Sequence, residues 1–358
     1  MILVIVVICN LGKVVSMLYV AFYVKDDPLI TVGDAIQSFL SRPDKTTTGM
    51  CLVSKADVVA KSLTVISDPE PKPYAARRLQ WRTAASARRW TLFIILFLAA
   101  ILTILGLLGL AIGSLPAKAK GNLWALGFGA VHPSTLITGW SLSKIHDADT
   151  AIVAATLIAN TPQLVLSFLY MTLNGLVTSM FLAQEWSGYA VSRKGLRVSK
   201  PSSPQRRTYF LQLPYRVAAP LILLSLLLHW LVSQSIFLAV VSTYNADGDL
   251  ANAIAVVTCG FSPMAMVFSA VAGVVLVVVV VGMSYFKFDS AMPVAGSCSV
   301  AIAAACHTDH GERAAQDLLQ WGELYLGLSE TEVGHCAFTS GLVRRPTVGR
   351  LYARRGRS

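Results

Sequence analysis

The chain has 358 residues, of which 54% are hydrophobic and 14% charged, with a mean hydropathy of +0.60. A soluble domain carries roughly 25% charged residues, so this balance argues against an ordinary water-soluble enzyme and for a lipid environment. The net charge of +11 raises nucleic acid as a partner, but Lys and Arg fall in connections between apolar runs rather than along one helix face. Orientation in a membrane accounts for them better, and nucleic acid is set aside.

The first apolar run, residues 1–24, is interrupted by Asn10 and Lys13. It lacks the basic n-region of a signal peptide, and relatives of the chain are expected to extend further upstream. The connection 25–89 opens with "TVGDAIQSFLSR", which sets Val32, Ile36, Phe39 and Leu40 on one helical face, the pattern of a segment lying along a membrane. It closes with "SDPEPKPYAARRLQWRTAASARR", a proline-punctuated, arginine-rich stretch expected to attract anionic lipid headgroups. A second span at 90–115 carries no charge, and its Gly109 and Gly113 have the GxxxG spacing that permits close helix contact.

In the connection 116–159, "NLWALGFGAVHPSTLITGW" is apolar, but glycines, His132 and Pro133 interrupt it, so a re-entrant or interfacial loop is expected. A third span at 160–183 begins with Asn-Thr-Pro, a helix-start signature. After the connection 184–216 come a fourth span at 217–241, a loop at 242–262, a fifth span at 263–285 and a tail at 286–358.

Basic residues in the successive connections number 11, 3, 7, none and, in the tail, 8. Cytoplasmic loops carry the excess of Lys and Arg, so this alternation predicts five transmembrane helices with the N-terminus outside and the C-terminus in the cytosol. A sixth span at 122–140 would put two basic segments on the wrong side. The expected fold class is therefore an all-α polytopic membrane protein, with the plasma membrane one candidate location.

Ionisable or amide side chains within a span are costly, roughly 2.5–3.5 kcal/mol for a charge at mid-bilayer, and mark candidate function. Gln163, Ser167, Tyr170, Asn174 and Thr178 form one stripe of the third span, and Ser225, His229 and Ser233 with Gln234 form another on the fourth. Lys13 and Asn10 give the first span a polar face. Lys13, Gln163, Asn174, His229 and Gln234 are thus candidates for a path taken by a small solute or ion. The same residues equally suit hydrogen bonds between packed helices.

The tail holds "AGSCSVAIAAACHTDH" and, further on, "GHC". In a reducing cytosol its thiols stay free to act as ligands or nucleophiles. Cys298 and Cys306 are eight residues apart, about 12 Å along a helix, and cannot share one metal ion. Cys306, His310, His335 and Cys336 remain an alternative metal set, without the usual knuckle spacing. Packing is the third reading, since Ala295, Ser299, Ala303 and Cys306 make a seam of small residues on a short helix expected to dock against the bundle. No P-loop and no GxGxxG fingerprint occurs, so no cofactor is expected and enzyme activity is disfavoured.

These motifs, with "NTPQLVLSFLYMTLNGL", "EWSGYAVSRKGLRVS", "RRTYFLQLPYRVAAPLILLSLLLHWLVSQSIFL" and "GFSPMA", resemble a family of uncharacterised multi-pass membrane proteins from filamentous fungi. The resemblance covers most of the chain. Longer members of that family carry a further N-terminal membrane region, and no activity comes with the resemblance. The functional expectation is solute or ion transport or sensing; the alternatives are a scaffold that binds partners or anionic lipids, and thiol or metal chemistry in the tail.

Overall fold

The long apolar runs form helices, and the connections between them form a second, mixed structure. The computed structural model describes residues 2–24, 29–61, 70–137, 148–202, 204–241, 256–308, 315–325 and 333–353. Its helices are α1 (Ile2–Tyr23), α2 (Val32–Ser41), α3 (Lys55–Lys61), α4 (Ala87–Ser114), α5 (Ala148–Gly188), α6 (Tyr215–Ser235), α7 (Pro263–Ser284) and α8 (Ser299–Ala304), with short turns between. Five of them, α1 and α4 to α7, are long and apolar enough to cross a membrane.

Helices α4, α5, α6 and α7 pack on one another. Their seam is apolar: Phe93 and Phe97 of α4 meet Leu173 and Met180 of α5, Leu228 of α6 and Val280 of α7. The outward faces are apolar as well, with Leu98, Leu102 and Leu110 of α4 and Val275, Val278 and Val279 of α7 exposed. A soluble monomer rarely exposes so continuous an apolar belt. Helix α1 is exposed along residues 4–23. The glycines of α4 do not mediate the close contact their spacing predicts: a side chain at Gly106, Gly109 or Gly113 would meet nothing.

Helix α5 has 41 residues, about 60 Å at 1.5 Å per residue and twice a hydrocarbon slab of roughly 30 Å. It starts well before the Asn-Thr-Pro predicted to open it. Asn160 and Thr161 are not caps: their side chains donate back to the carbonyls of Thr156 and Leu157 at 2.8 and 2.7 Å, and Pro162 is carried inside the helix. Helix α6, conversely, stops at Ser235, before the predicted end of the fourth span. The β-branched and aromatic run that follows becomes strand β5 (Ile236–Val241), antiparallel to β6 (Val256–Phe261) from Ile236↔Phe261 to Val241↔Val256.

Because α5 outreaches the bundle, it joins two ends. At one end the β5–β6 ribbon packs on the start of α5, where Ala151 and Ala155 meet Val257 and Cys259. The segment 122–137, predicted as a re-entrant or interfacial loop, lies here as short turns, and Ile137 donates its amide to the Cys259 carbonyl at 2.9 Å. The predicted loop's last residues, 138–140, fall outside the described residues.

At the other end the connections 25–89 and 184–216 and the tail fold into one domain. The remaining strands are short apart from β7: β1 (Lys72–Pro73), β2 (Lys194–Gly195), β3 (Arg197–Val198), β4 (Arg206–Arg207), β7 (Leu318–Leu324), β8 (Cys336–Thr339), β9 (Val343–Arg344) and β10 (Leu351–Tyr352). Strand β7 pairs antiparallel with β2, β8 and β9, β3 runs parallel to β4, and β1 is antiparallel to β10. The chain is therefore mostly helical but not all-α. Each strand of this domain except β7 is too short to declare itself locally, and their partners come from three separate connections.

The core of this domain joins α2, α8, β7, β8 and the end of α5. Thr31 caps α2, its hydroxyl accepting from the Asp34 amide while the Asp34 carboxylate accepts from the Thr31 amide. The apolar face of α2 does not lie on a membrane as predicted: Ile36 and Leu40 are fully buried in the protein core. Helix α8 docks on α2 and α3, within this domain and not against the bundle. Trp186 and Tyr189, at and just beyond the end of α5, place their rings edge-on to Phe338 at 5.1 and 5.5 Å. Glu185 of α5 pairs with Arg197 at 3.0 Å and Arg206 at 3.4 Å, and Arg197 also lies over the Tyr209 ring. These contacts fix the domain to the helix that traverses the bundle.

Candidate functional site

The polar residues predicted to share a path occupy different places. Lys13 lies exposed on α1. Gln163 of α5 and His229 of α6 do meet. The Gln163 amide nitrogen donates to the His229 carbonyl at 3.0 Å, and its oxygen lies 2.7 Å from His229 Nδ1. With the amide nitrogen committed, its oxygen must accept, so the imidazole proton sits on Nδ1. The pair is an interhelical clasp.

Further along α5, Asn174 Oδ1 and Thr178 Oγ1, one helical turn apart, are buried without a hydrogen-bond partner among the described residues. Beside them, Arg89 at the start of α4 donates to the Gly175 carbonyl at 2.7 Å and to the Ser179 hydroxyl at 2.9 Å. Gln234, at the far end of α6, donates to Ser233 and fills the space beside Gly129 that a side chain there would occupy. The cavity among α4 to α7, near Phe97, Tyr170 and Ser225, holds about 10 Å³, barely room for one water.

In the tail, Cys306 and Cys336 are buried in the domain core with Cys51. Burial pushes the Cys51 thiol up to about 11. Burial also raises Cys306 and raises Cys336 well above the ordinary thiol value, Cys336 also through the neighbouring Cys51 and Glu323. All three are thus poor thiolates. The ring nitrogens of His335 lie 2.8 Å from the His307 carbonyl and 3.2 Å from the Ala353 carbonyl, and His307 Nε2 lies 2.7 Å from the Thr47 hydroxyl. His310, the fourth alternative ligand, is outside the described residues. Among the described residues no three His, Cys, Asp or Glu side chains gather as a metal site.

A different constellation forms where α4 begins and α7 ends. Backbone bonds from Trp81 N to the Phe286 carbonyl at 2.8 Å and from Phe288 N to the Leu79 carbonyl at 3.0 Å hold residues 79–81 antiparallel to 286–288, with Gln80 opposite Lys287. Trp81 turns inward, edge-on to Phe181 of α5 and Phe286. Arg77, Arg78, Arg82 and Lys287 turn outward and line a groove of about 660 Å³ with Gln80 and Thr83. All four cations are exposed, and among the described residues none forms an ion pair. The arginine-rich stretch was legible in the sequence. Lys287 was not, and its position just past the last apolar run was the signal that could have found it.

No curated protein and no solved structure matches the chain. The model of a family described as a domain of unknown function, DUF8419, matches residues 31–72 and 60–352, so the chain belongs to that family.

Proposed function

We propose that the chain is a multi-pass integral membrane protein with its N-terminus outside, and that it acts as a non-catalytic anchor holding a folded domain against the anionic inner leaflet, with the plasma membrane as its site. One observation carries this reading. The connections with 11, 7 and 8 basic residues contribute to one domain core at one end of the bundle, while those with 3 and none meet at the other. Positive charge and three-dimensional sidedness thus coincide, as they do when basic segments stay cytoplasmic.

The topology is tested by cysteines introduced at exposed sites of the two ends, Leu342→Cys and Lys118→Cys. A membrane-impermeant maleimide should label position 118 in intact cells and position 342 only after permeabilisation. Labelling of position 342 from outside refutes the orientation. An anchor also requires no solute path, and the small apolar cavity in the bundle supports that reading.

Solute or ion movement is the second reading, supported by the unpartnered oxygens of Asn174 and Thr178, which suit a bound water or cation. Its test is flux into proteoliposomes. Loss of flux in a stably folded Asn174→Leu variant would favour transport, and unchanged flux would sink it.

A further inference from the structure

We propose that the groove lined by Arg77, Arg78, Arg82 and Lys287 binds the phosphomonoester headgroup of an anionic membrane lipid. The proposal rests on the anchor reading and names the ligand by which the domain is held to the leaflet. Three observations carry it.

The first is charge. Four exposed cations from two segments far apart in sequence face one groove, and among the described residues none is neutralised by a carboxylate. A phosphomonoester carries about −1.5 to −2 charges near neutral pH, against about −1 for a phosphodiester, and so matches this cluster better. Arginine adds planar donor pairs suited to phosphate oxygens.

The second is construction. The cluster is held by paired backbone bonds between residues 79–81 and 286–288 and by the buried Trp81 beneath it. Thr83 donates to the Gln80 carbonyl at 2.7 Å, fixing the turn that presents Arg82. The groove, about 660 Å³, falls within the size range of small-molecule sites, roughly 300–1,000 Å³.

The third is position, which separates a lipid from a soluble anion. The groove sits where α4 enters and α7 leaves the apolar bundle. Tyr285 and Phe286 beside it are both 58% exposed, and the Trp90 indole donates to the Arg82 carbonyl at 3.0 Å. Tyr and Trp rings mark the headgroup level of a bilayer, so a phosphate bound here arrives with acyl chains that lie along the outer faces of α4 and α7.

The test uses the purified full chain in neutral micelles, with thermal unfolding followed during titration. The ligands are dioctanoyl phosphatidate, dioctanoyl phosphatidylserine, dioctanoyl phosphatidylcholine and inorganic phosphate. Phosphatidate should raise the unfolding temperature saturably, phosphatidylserine more weakly, and phosphatidylcholine and inorganic phosphate not at all. Each basic side chain near an anionic surface contributes about fivefold in affinity, so Arg78→Gln, Arg82→Gln and Lys287→Gln together should weaken phosphatidate binding about a hundredfold. Their exposure predicts an unchanged unfolding temperature without lipid. Lys118→Gln with Lys120→Gln, at the opposite end, should leave binding intact.

Equal shifts with phosphatidate and inorganic phosphate overturn the lipid assignment. Equal shifts with phosphatidate and phosphatidylserine overturn the monoester assignment, and undiminished binding by the triple variant overturns the groove. Failure of the anchor reading shows separately, as release of the chain from membranes by alkaline carbonate, which does not depend on the groove.

Discussion

Replacing Gln163 by Leu removes both bonds of the clasp between α5 and α6, the 3.0 Å bond to the His229 carbonyl and the 2.7 Å bond to its ring. Interhelical hydrogen bonds in membranes are worth about 0.6 kcal/mol on average and about 1.7 kcal/mol at most. The variant should therefore lose roughly 1.2 kcal/mol, with a ceiling near 3.4 kcal/mol. His229→Leu behaves differently, because the backbone carbonyl remains to accept from Gln163 and only the ring bond is lost, about 0.6 kcal/mol. A double-mutant cycle of the two changes should thus give a coupling near the value of one bond, while Gln163→Leu alone loses about twice that. The assay is reversible unfolding in mixed micelles by a denaturing detergent, followed by tryptophan fluorescence. Zero coupling with two neutral single variants refutes the clasp. Unchanged stability together with a loss of solute flux would assign the pair to a path rather than to packing.

Phe338→Ala should destabilise the charged-end domain by about 3–5 kcal/mol, as large-to-small changes at fully buried aromatics do, since Phe338 is 0% exposed between Trp186 and Tyr189. Proteolysis should then cut the domain while the apolar helices survive. Cys51, Cys306 and Cys336, buried and with thiols pushed up, should resist a polar maleimide at pH 7.5 until the protein is denatured, whereas the partly exposed Cys298 reacts; labelling of the three in the folded chain contradicts their burial. Burial pushes Asp57 up, but hydrogen bonds from the Ser54 amide and hydroxyl and the Lys72 ammonium at 3.1 Å outweigh it and hold the carboxyl below its usual value. Its contribution is therefore present above about pH 3.9, the ordinary value, and lost as pH falls through the lower folded value. Asp57→Asn should be slightly less stable at neutral pH, by about 0.2–1 kcal/mol for a half-exposed pair, and its acid unfolding curve should be shallower below about pH 4.

Five helices with the length and apolarity to cross a membrane could be read from the chain because each is a local property: an unbroken run of about twenty apolar residues needs no partner to be recognised. The helix ends were less legible. Asn160 and Thr161 carry capping chemistry, yet their side chains bond back into α5, and the apolar run at 236–241 continues past the point where the helix becomes strand β5. Hydropathy does not distinguish a helix from a strand in a short apolar run.

The charged end shows the wider limit. The amphipathic face of α2 and the small residues of α8 were visible as patterns, but a pattern states only that a face must be covered. The sequence alone could have laid α2 on a bilayer and α8 on the bundle; folding instead placed both against β7, β8 and the end of α5 in one core. The same holds for the groove: Arg77, Arg78 and Arg82 lie within six residues of the chain, and the lysine that completes them arrives only because backbone bonds set residue 287 beside residue 80. Composition and periodicity determined the apolar spans and the asymmetry of charge, since both depend on residues close in sequence. The tertiary structure alone decided which connections share a core and which cations share a site, because those depend on contacts between segments that the bundle separates along the chain and reunites in space.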